Sequence, residues 1–471
     1  MNPSWGTPFS RREFLQVSLA ASAGTAFAAQ LPRVDERPNI VFILADDLGI
    51  NDVSCYGQQK FQTPHIDQMA REGMRFTDAY AGGPVCAPSR STLMTGLNTG
   101  HTRVRANFAL AAGHVGHKGK EEIRRANLTP EDHTVAEYLQ KAGYHTGLMG
   151  KWHLDGYDPG ATPVDHGFDE FKGWLIQKEK TQGYFPTQRM NGREVVEIHE
   201  NDNDRHGLYE TEMCIEDSCD FIRRNKKAPF FLYLAFSNPH SPYISPTLGT
   251  AAGEPWTRDE KIYASMVEFM DQGVGAVLRT LKEEGLDENT IVFFSSDNGP
   301  RSEPTNQQST VIDFFDSNGV YRGFKRDLYE GGIREPFIVR WPGRVQAGSV
   351  TREPIYFPDF LPTAITLAHS SAAAQTDGTD LTKILRQQGK RPVERFLYWE
   401  TYEPEFRQAV RWGKWKAVRL TRSGALELYD LTTDVSEKKN VAATNPAVIA
   451  RIEDYLRTAR TNSPEYPLPA L

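Results

Sequence analysis

Cysteine is scarce. Four residues in 471, Cys55, Cys86, Cys214 and Cys219, cannot staple a chain of this length, so the fold must rest on a hydrophobic core. No C-x-x-C pair or Cys/His cluster stands at zinc-binding spacing. Cys214 and Cys219 leave two readings open, a pair in an oxidising compartment or two buried thiols. Surplus positive charge is missing as well. Lys and Arg number 54 against 61 Asp and Glu, a formal charge of −7. That excludes nucleic acid as the main partner, because neutralising phosphates takes a basic surface. Beyond residue 28 no apolar run approaches the roughly 18 residues a membrane-spanning helix requires, which excludes stable membrane insertion of the mature chain. Internal repeats and long low-complexity tracts are also absent. What is present is apolar content of 39%, enough for a substantial core. The length exceeds what one core serves, so one large and one smaller domain are expected.

The N-terminus has a distinct layout. Ser10-Arg11-Arg12-Glu13-Phe14-Leu15 leads into a mildly apolar run that closes in Ala26-Phe27-Ala28. This is the pattern of a signal peptide over residues 1–28, with a twin-arginine start and an A-x-A cleavage site. The run is too short and too rich in Ala, Ser and Gly to cross a bilayer of roughly 30 Å. The expected partner is the twin-arginine translocase, and the expected location is periplasmic or secreted.

Strand-like runs alternate with helical stretches. Residues 39–45, 230–236 and 291–296 are apolar without interruption, the mark of central strands in a parallel sheet. Residues 145–150 and 336–341 add two weaker cases. Val135, Leu139 and Ala142 share one helical stripe, and Ile262, Met266, Met270, Val274, Val277 and Leu281 mark a long helix. The pattern predicts an α/β fold with a large, mostly parallel or mixed sheet flanked by helices. Its domain spans residues 37–369. After a small, polar stretch from Ser370 to Thr379, residues 380–460 read as a C-terminal subdomain, with short antiparallel strands near 395–400, 409–412, 414–419 and 426–430 and a helix over 447–457.

Ligands in open α/β sheets bind beyond the carboxyl ends of the strands. There the runs deliver Asp46-Asp47, Lys151-Trp152-His153, Asn238-Pro239-His240 and Asp297-Asn298. Each has a bland reading as a cap, a turn or a structural histidine. Their joint placement at one edge is the stronger signal. Asp46, Asp47, Asp297 and Asn298 form an all-oxygen set, which selects Ca²⁺ or Mg²⁺ over zinc.

The sharpest motif is Cys86-Ala87-Pro88-Ser89-Arg90-Ser91-Thr92-Leu93-Met94-Thr95-Gly96. It resembles the signature of the formylglycine-dependent sulfatases, within the alkaline phosphatase superfamily. The resemblance extends, in the family's order, through Asp46-Asp47-Leu48-Gly49, Gly150-Lys151-Trp152-His153-Leu154, Asn238-Pro239-His240, Ser296-Asp297-Asn298-Gly299, Gly323-Phe324-Lys325 and Glu330-Gly331-Gly332-Ile333-Arg334. Gly413-Lys414-Trp415-Lys416 and Glu427-Leu428-Tyr429-Asp430-Leu431 are similar to the family's small domain.

That resemblance implies a sulfuric ester hydrolase in which Cys86, oxidised to formylglycine (3-oxoalanine) by a formylglycine-generating, sulfatase-maturing enzyme, attacks sulfur and forms a sulfo-enzyme intermediate. It implies one Ca²⁺ held by Asp46, Asp47, Cys86, Asp297 and Asn298. Arg90 would steady the hydrated aldehyde, and Lys151 and Lys325 would neutralise sulfate oxygens. His153 and His240 would serve as base and acid, with their order open. The expected substrate is a sulfated carbohydrate, a polysaccharide or glycosaminoglycan, with aryl sulfates also accepted. Arg103, Arg105, His114, His117 and Lys118 are candidates for contact with the leaving group, although a solvated loop also accounts for them. Two rivals stand: a phosphonate or phosphodiester hydrolase of the same superfamily, and a sulfated-glycan binding protein that never converts Cys86.

Overall fold

The uninterrupted apolar runs become the middle of one sheet, because both faces of their strands are covered. The computed structural model describes residues 37–118, 121–155, 161–175, 183–302, 307–388 and 395–469; the expected export segment, residues 1–28, lies outside the described residues. Ten strands pair in the order β13 (Ser349–Thr351), β2 (Met74–Phe76), β12 (Phe337–Arg340), β11 (Thr290–Ser296), β1 (Asn39–Ala45), β10 (Phe230–Ala235), β6 (His145–Lys151), β7 (Glu170–Trp174), β8 (Gln188–Asn191) and β9 (Glu194–Glu197). From β11 to β7 neighbouring strands are parallel.

Alternate residues of these strands feed two cores. Ile40, Phe42 and Leu44 meet Phe231, Tyr233 and Phe293 on one face, under the helices Cys86–Thr95, Val135–Lys141 and Phe360–Leu367. Val41, Ile43 and Ala45 meet Leu232, Leu234 and Phe294 on the other, under Pro64–Glu72, Glu210–Asn225 and Arg258–Glu283. The last of these helices starts at a capping box, in which Thr257 accepts from the Glu260 amide while the Glu260 carboxylate accepts from the Thr257 amide at 2.7 Å.

One strand runs against the parallel set. β12 is antiparallel to β11, because the chain leaves β11 at its carboxyl end and returns from that same edge, with no crossover to the far side. Two small pairs complete this part: β3 (Ala79–Tyr80) with β14 (Ile355–Tyr356), and the hairpin β4 (His114–Lys118) with β5 (Glu121–Arg125).

The C-terminal residues form a separate antiparallel sheet in the order β15 (Phe396–Thr401), β16 (Arg407–Trp412), β17 (Trp415–Arg419) and β18 (Glu427–Asp430). Period-two alternation divides its side chains. Tyr398, Val410, Ala417 and Leu428 take the helix Pro446–Leu456 through Ile452 and Leu456. Leu397, Trp399, Ala409 and Val418 pack on Tyr80, Leu328, Tyr329 and Ile333 of the larger part. The small sheet therefore lies against the segment that carries Lys325. All four cysteines are free thiols, which resolves the alternative left open for Cys214 and Cys219.

Candidate active site

Parallel strands put their carboxyl ends on one edge, and the polar residues that follow β1, β6, β10 and β11 converge there. Cys86 joins them at the first position of its helix and is fully buried. Its Sγ lies 3.2 Å from Asp46 Oδ1 and 3.1 Å from Lys325 Nζ. Lys151 Nζ donates to Asp46 Oδ2 at 2.5 Å, and Lys325 Nζ to Asp47 Oδ1 at 2.5 Å. Asn298 Nδ2 donates to the same Asp47 oxygen at 2.7 Å. Arg90 reaches across from the next turn of the Cys86 helix: its Nε donates to Asp297 Oδ2 at 2.8 Å and its Nη1 to the Lys151 carbonyl at 2.7 Å. Asp47 and His153 both adopt left-handed backbone, φ 65° and φ 64°, which turns the chain sharply as it leaves each strand.

The two histidines are held differently. His240 Nδ1 is 2.5 Å from the Ser241 carbonyl, so it carries the proton there and leaves Nε2 3.6 Å from Asp47 Oδ2. Both ring nitrogens of His153 are buried with no hydrogen-bond partner.

Charge is distributed unevenly. Burial opposes ionisation of Asp46, yet Lys151 and the other cations hold its carboxyl well below the ordinary range. Asp297 is carried up to about 6 by burial and by the neighbouring Asp46. Burial, with Asp297 and Asp46 beside it, pushes the Cys86 thiol up, so the unmodified side chain is a poor nucleophile. Burial takes His240 down to about 4 against the pull of Asp47, and takes His153 well below its usual value with help from Lys151 and Arg125.

Among the described residues, Asp46, Asp47, Cys86 and His240 each bring one ligand atom within 4.8 Å of the others. His240 thus stands with three residues of the expected Ca²⁺ set. Asp297 instead accepts from Arg90 and, at 3.3 Å, from the Asp47 amide. Asp47 Oδ2 and Asn298 Oδ1 are buried oxygens with no hydrogen-bond partner. Orphaned hard donors beside carboxylates fit a divalent cation such as Ca²⁺.

The leaving-group candidates fare less well. Arg105 is buried against Glu400 at 3.1 Å and the Thr461 carbonyl at 2.9 Å, while Arg103 pairs with Asp132 at 2.5 Å. His114, His117 and Lys118 fall on β4, and their side chains lie outside the described residues. Arg334, part of the last motif, faces Thr77, Asp78 and Glu330 rather than Cys86. Sequence reasoning missed several neighbours of the site. Tyr184 Oη lies 2.6 Å from the carbonyls of both Ser237 and His240, bracing the loop that carries the histidine. Asn107 Oδ1 accepts from the Ala87 amide at 3.0 Å. No periodicity or motif marks either residue.

Residues 38–370 match the family model described as Sulfatase. The chain belongs to the sulfatase family. It is a sulfuric ester hydrolase, as its curated relatives are by name. Residues 319–462 match a second model, N-sulphoglucosamine sulphohydrolase, C-terminal, which begins ahead of Lys325. The sulfatase is 32% identical to N-acetylgalactosamine-6-sulfatase of Canis lupus familiaris over 91% of this chain and 79% of that one. It is 31% identical to arylsulfatase A of Homo sapiens over 92% of this chain and 89% of that one. A solved structure named Ps i-CgsB, also solved in complex with k-i-k-neocarrahexaose, matches at 27% identity with a TM-score of 0.77 over 92% of this chain and 95% of that one.

Proposed function

We propose that this sulfatase removes sulfate from a sulfated carbohydrate, using Cys86 as formylglycine and one Ca²⁺, and that it accepts aryl sulfates as well. The observation that carries the reading is Cys86 at a helix start, within 3.2 Å of Asp46 and 3.1 Å of Lys325. Relatives named for N-acetylgalactosamine-6-sulfate and a relative solved with a neocarrahexaose support a glycan substrate.

Oxidised and hydrated, Cys86 supplies two hydroxyls on one carbon, one to attack sulfur and one to release sulfate. Asp46, Asp47, Asp297 and Asn298, with Cys86 and His240 beside them, would hold the cation, which would supply positive charge toward a sulfate oxygen. Lys151 and Lys325 act as fixed cations at the sulfate, already in place before reaction. Arg90, locked by Asp297 and the Lys151 carbonyl, holds the start of the Cys86 helix against β11. His240, with Nδ1 committed to Ser241, presents Nε2 as the atom that hands a proton to the leaving alcohol. His153 has both nitrogens available for the second hydroxyl of Cys86.

Residues 1–28 are proposed to direct twin-arginine export to the periplasm or beyond, after a sulfatase-maturing enzyme has acted on Cys86. Residues 37–369 and 380–460 are proposed as catalytic domain and C-terminal subdomain. No helix among the described residues is long and apolar enough to cross a membrane.

The test is the mass of the tryptic peptide Phe76–Arg90 from protein made with a formylglycine-generating enzyme. A loss of about 18 Da is expected, CH₂SH becoming CHO. An intact thiol, where a control sulfatase is converted, removes the covalent mechanism and favours the glycan-binding reading. Parallel assays on 4-nitrophenyl sulfate and 4-nitrophenyl phosphate separate the phosphoester rival.

A further inference from the structure

The expected leaving-group arginines, Arg103 and Arg105, are tied to other carboxylates, so the residues that meet the alcohol side of the ester must be sought elsewhere. A second rim beside Cys86 is built from three distant parts of the chain. Asn107 is its hinge: its side-chain oxygen accepts from the Ala87 amide at 3.0 Å, and its own amide donates to Glu403 Oε1 at 2.6 Å. Glu403 stands in the β15–β16 turn of the small sheet, so two hydrogen bonds link that turn to the helix start that bears Cys86. Its second oxygen, Oε2, faces Arg326 Nε at 3.8 Å. Arg326 follows Lys325 directly and sits at φ 78° with its amide bonded to the Pro84 carbonyl, a conformation held from both sides of the site. Burial pushes the Glu403 carboxyl above its ordinary value, against the Asn107 amide and the positive charges of Arg326, Lys325 and Arg125. Phe108, next to Asn107, is 37% exposed, and the Arg125 guanidinium lies 5.5 Å from its ring centroid.

We propose that Glu403 and Arg326 are specificity-determining residues that read a sugar hydroxyl next to the sulfate ester, with the exposed face of Phe108 against the ring. This rests on the carbohydrate-sulfatase reading above and deepens it. A carboxylate accepts the hydroxyl proton and a guanidinium donates to its oxygen, a pairing that a flat phenol leaving group cannot use. The apolar side of a pyranose suits an exposed aromatic ring. Oε1 keeps the Asn107 amide in place, so Oε2 is the oxygen available to the substrate.

Glu403→Gln keeps an acceptor for Asn107 and removes the charge; Arg326→Gln removes the donor fork. The measurement is the ratio of kcat/KM on sugar sulfates (galactose 6-sulfate, N-acetylgalactosamine 6-sulfate and glucosamine 6-sulfate) to kcat/KM on 4-methylumbelliferyl sulfate. The expected outcome is a fall in that ratio of about 30-fold for each variant, the size of a lost charged hydrogen bond. A deoxy analogue of the best sugar sulfate, lacking the neighbouring hydroxyl, should lose activity in the wild type. The Glu403→Gln variant should show no further loss with it, because both remove one contact. A ratio that does not change, whether both activities fall together or neither falls, makes Glu403 a strut for Asn107 alone and overturns the proposal. Turnover of the aryl sulfate but of no sugar sulfate by the wild type overturns it too, while leaving the sulfatase reading intact. Turnover of neither, by protein whose Cys86 is converted, sinks the reading on which it rests.

Discussion

The carboxylates at the end of β1 and those beneath the small sheet are both buried and both face lysines, yet the two clusters are finished differently. Under the small sheet, Lys416 Nζ meets Glu330 Oε1 at 2.9 Å and Glu437 Oε1 at 3.4 Å. Glu330 Oε2 accepts from Tyr80 and Arg334, each at 2.8 Å, and Glu437 Oε2 accepts from the Glu330 amide at 2.7 Å. Every carboxylate oxygen has a donor. At the other cluster Asp47 Oδ2, Asn298 Oδ1 and both nitrogens of His153 have no hydrogen-bond partner. Native folds leave few buried polar atoms unpaired, and a group of them marks a place where something else binds. The closed cluster holds two parts of the chain together; the other leaves hard donors free, the composition that suits a divalent cation.

That contrast can be broken at either side. The largest expected effect is on turnover alone: Cys86→Ala lowers kcat by roughly 10⁴-fold while the urea midpoint stays near wild type. Lys416→Met should do the reverse. It strands Glu330 and Glu437 and costs about 3–5 kcal/mol of stability by urea denaturation, with the folded fraction still active. A folded, stable, inactive Lys416→Met protein would erase the distinction. Lys325→Ala removes one fixed cation and lowers kcat by about 10²–10³-fold. If the unfinished cluster is a metal site, Ca²⁺ at about 100 times its Kd raises stability by about 2.7 kcal/mol, and chelation reverses it. The smallest effect sharpens the closed cluster. Glu437 keeps its proton to about 7 in the folded chain, against an ordinary value of 4.5, because burial and Glu330 oppose its charge despite Lys416. The folded chain binds more protons across that window. Its contribution is therefore complete below 4.5 and drains away as pH rises through about 7. Glu437→Gln should flatten that part of the stability profile between about pH 5 and pH 7.5 in urea titrations.

Legibility from sequence followed the same division. Runs such as Asn39–Ala45 and Phe230–Ala235 announced buried parallel strands, and the residues just past them fell on one edge because parallel strands leave no alternative. Lys325 lies beyond no strand end, and only the motif Gly323-Phe324-Lys325 pointed to it. The direction of β12 was not legible, since an apolar run looks the same either way along the chain. His240 was expected at that edge as an acid or base, but not with its ring nitrogen among the ligand atoms of Asp46, Asp47 and Cys86, since a histidine after a strand has many uses. Glu403 was out of reach altogether. It sits in a short turn of the small sheet, and the contact that matters joins it to Asn107, almost three hundred positions away.

The complete burial of Cys86 also fixes an order of events. A second protein cannot grip residues 84–90 once that helix is packed against the helices Phe360–Leu367 and Val135–Lys141 and Cys86 is enclosed by Asp46 and Lys325. Any enzyme that oxidises Cys86 must find it in a chain still being made or not yet closed. Much of what closes it arrives late, since Lys325, Glu403 and Lys416 are translated long after Cys86. If Cys86 is converted as proposed, the interval between the two is the time allowed for modification, and slower closure of the small sheet would lengthen it.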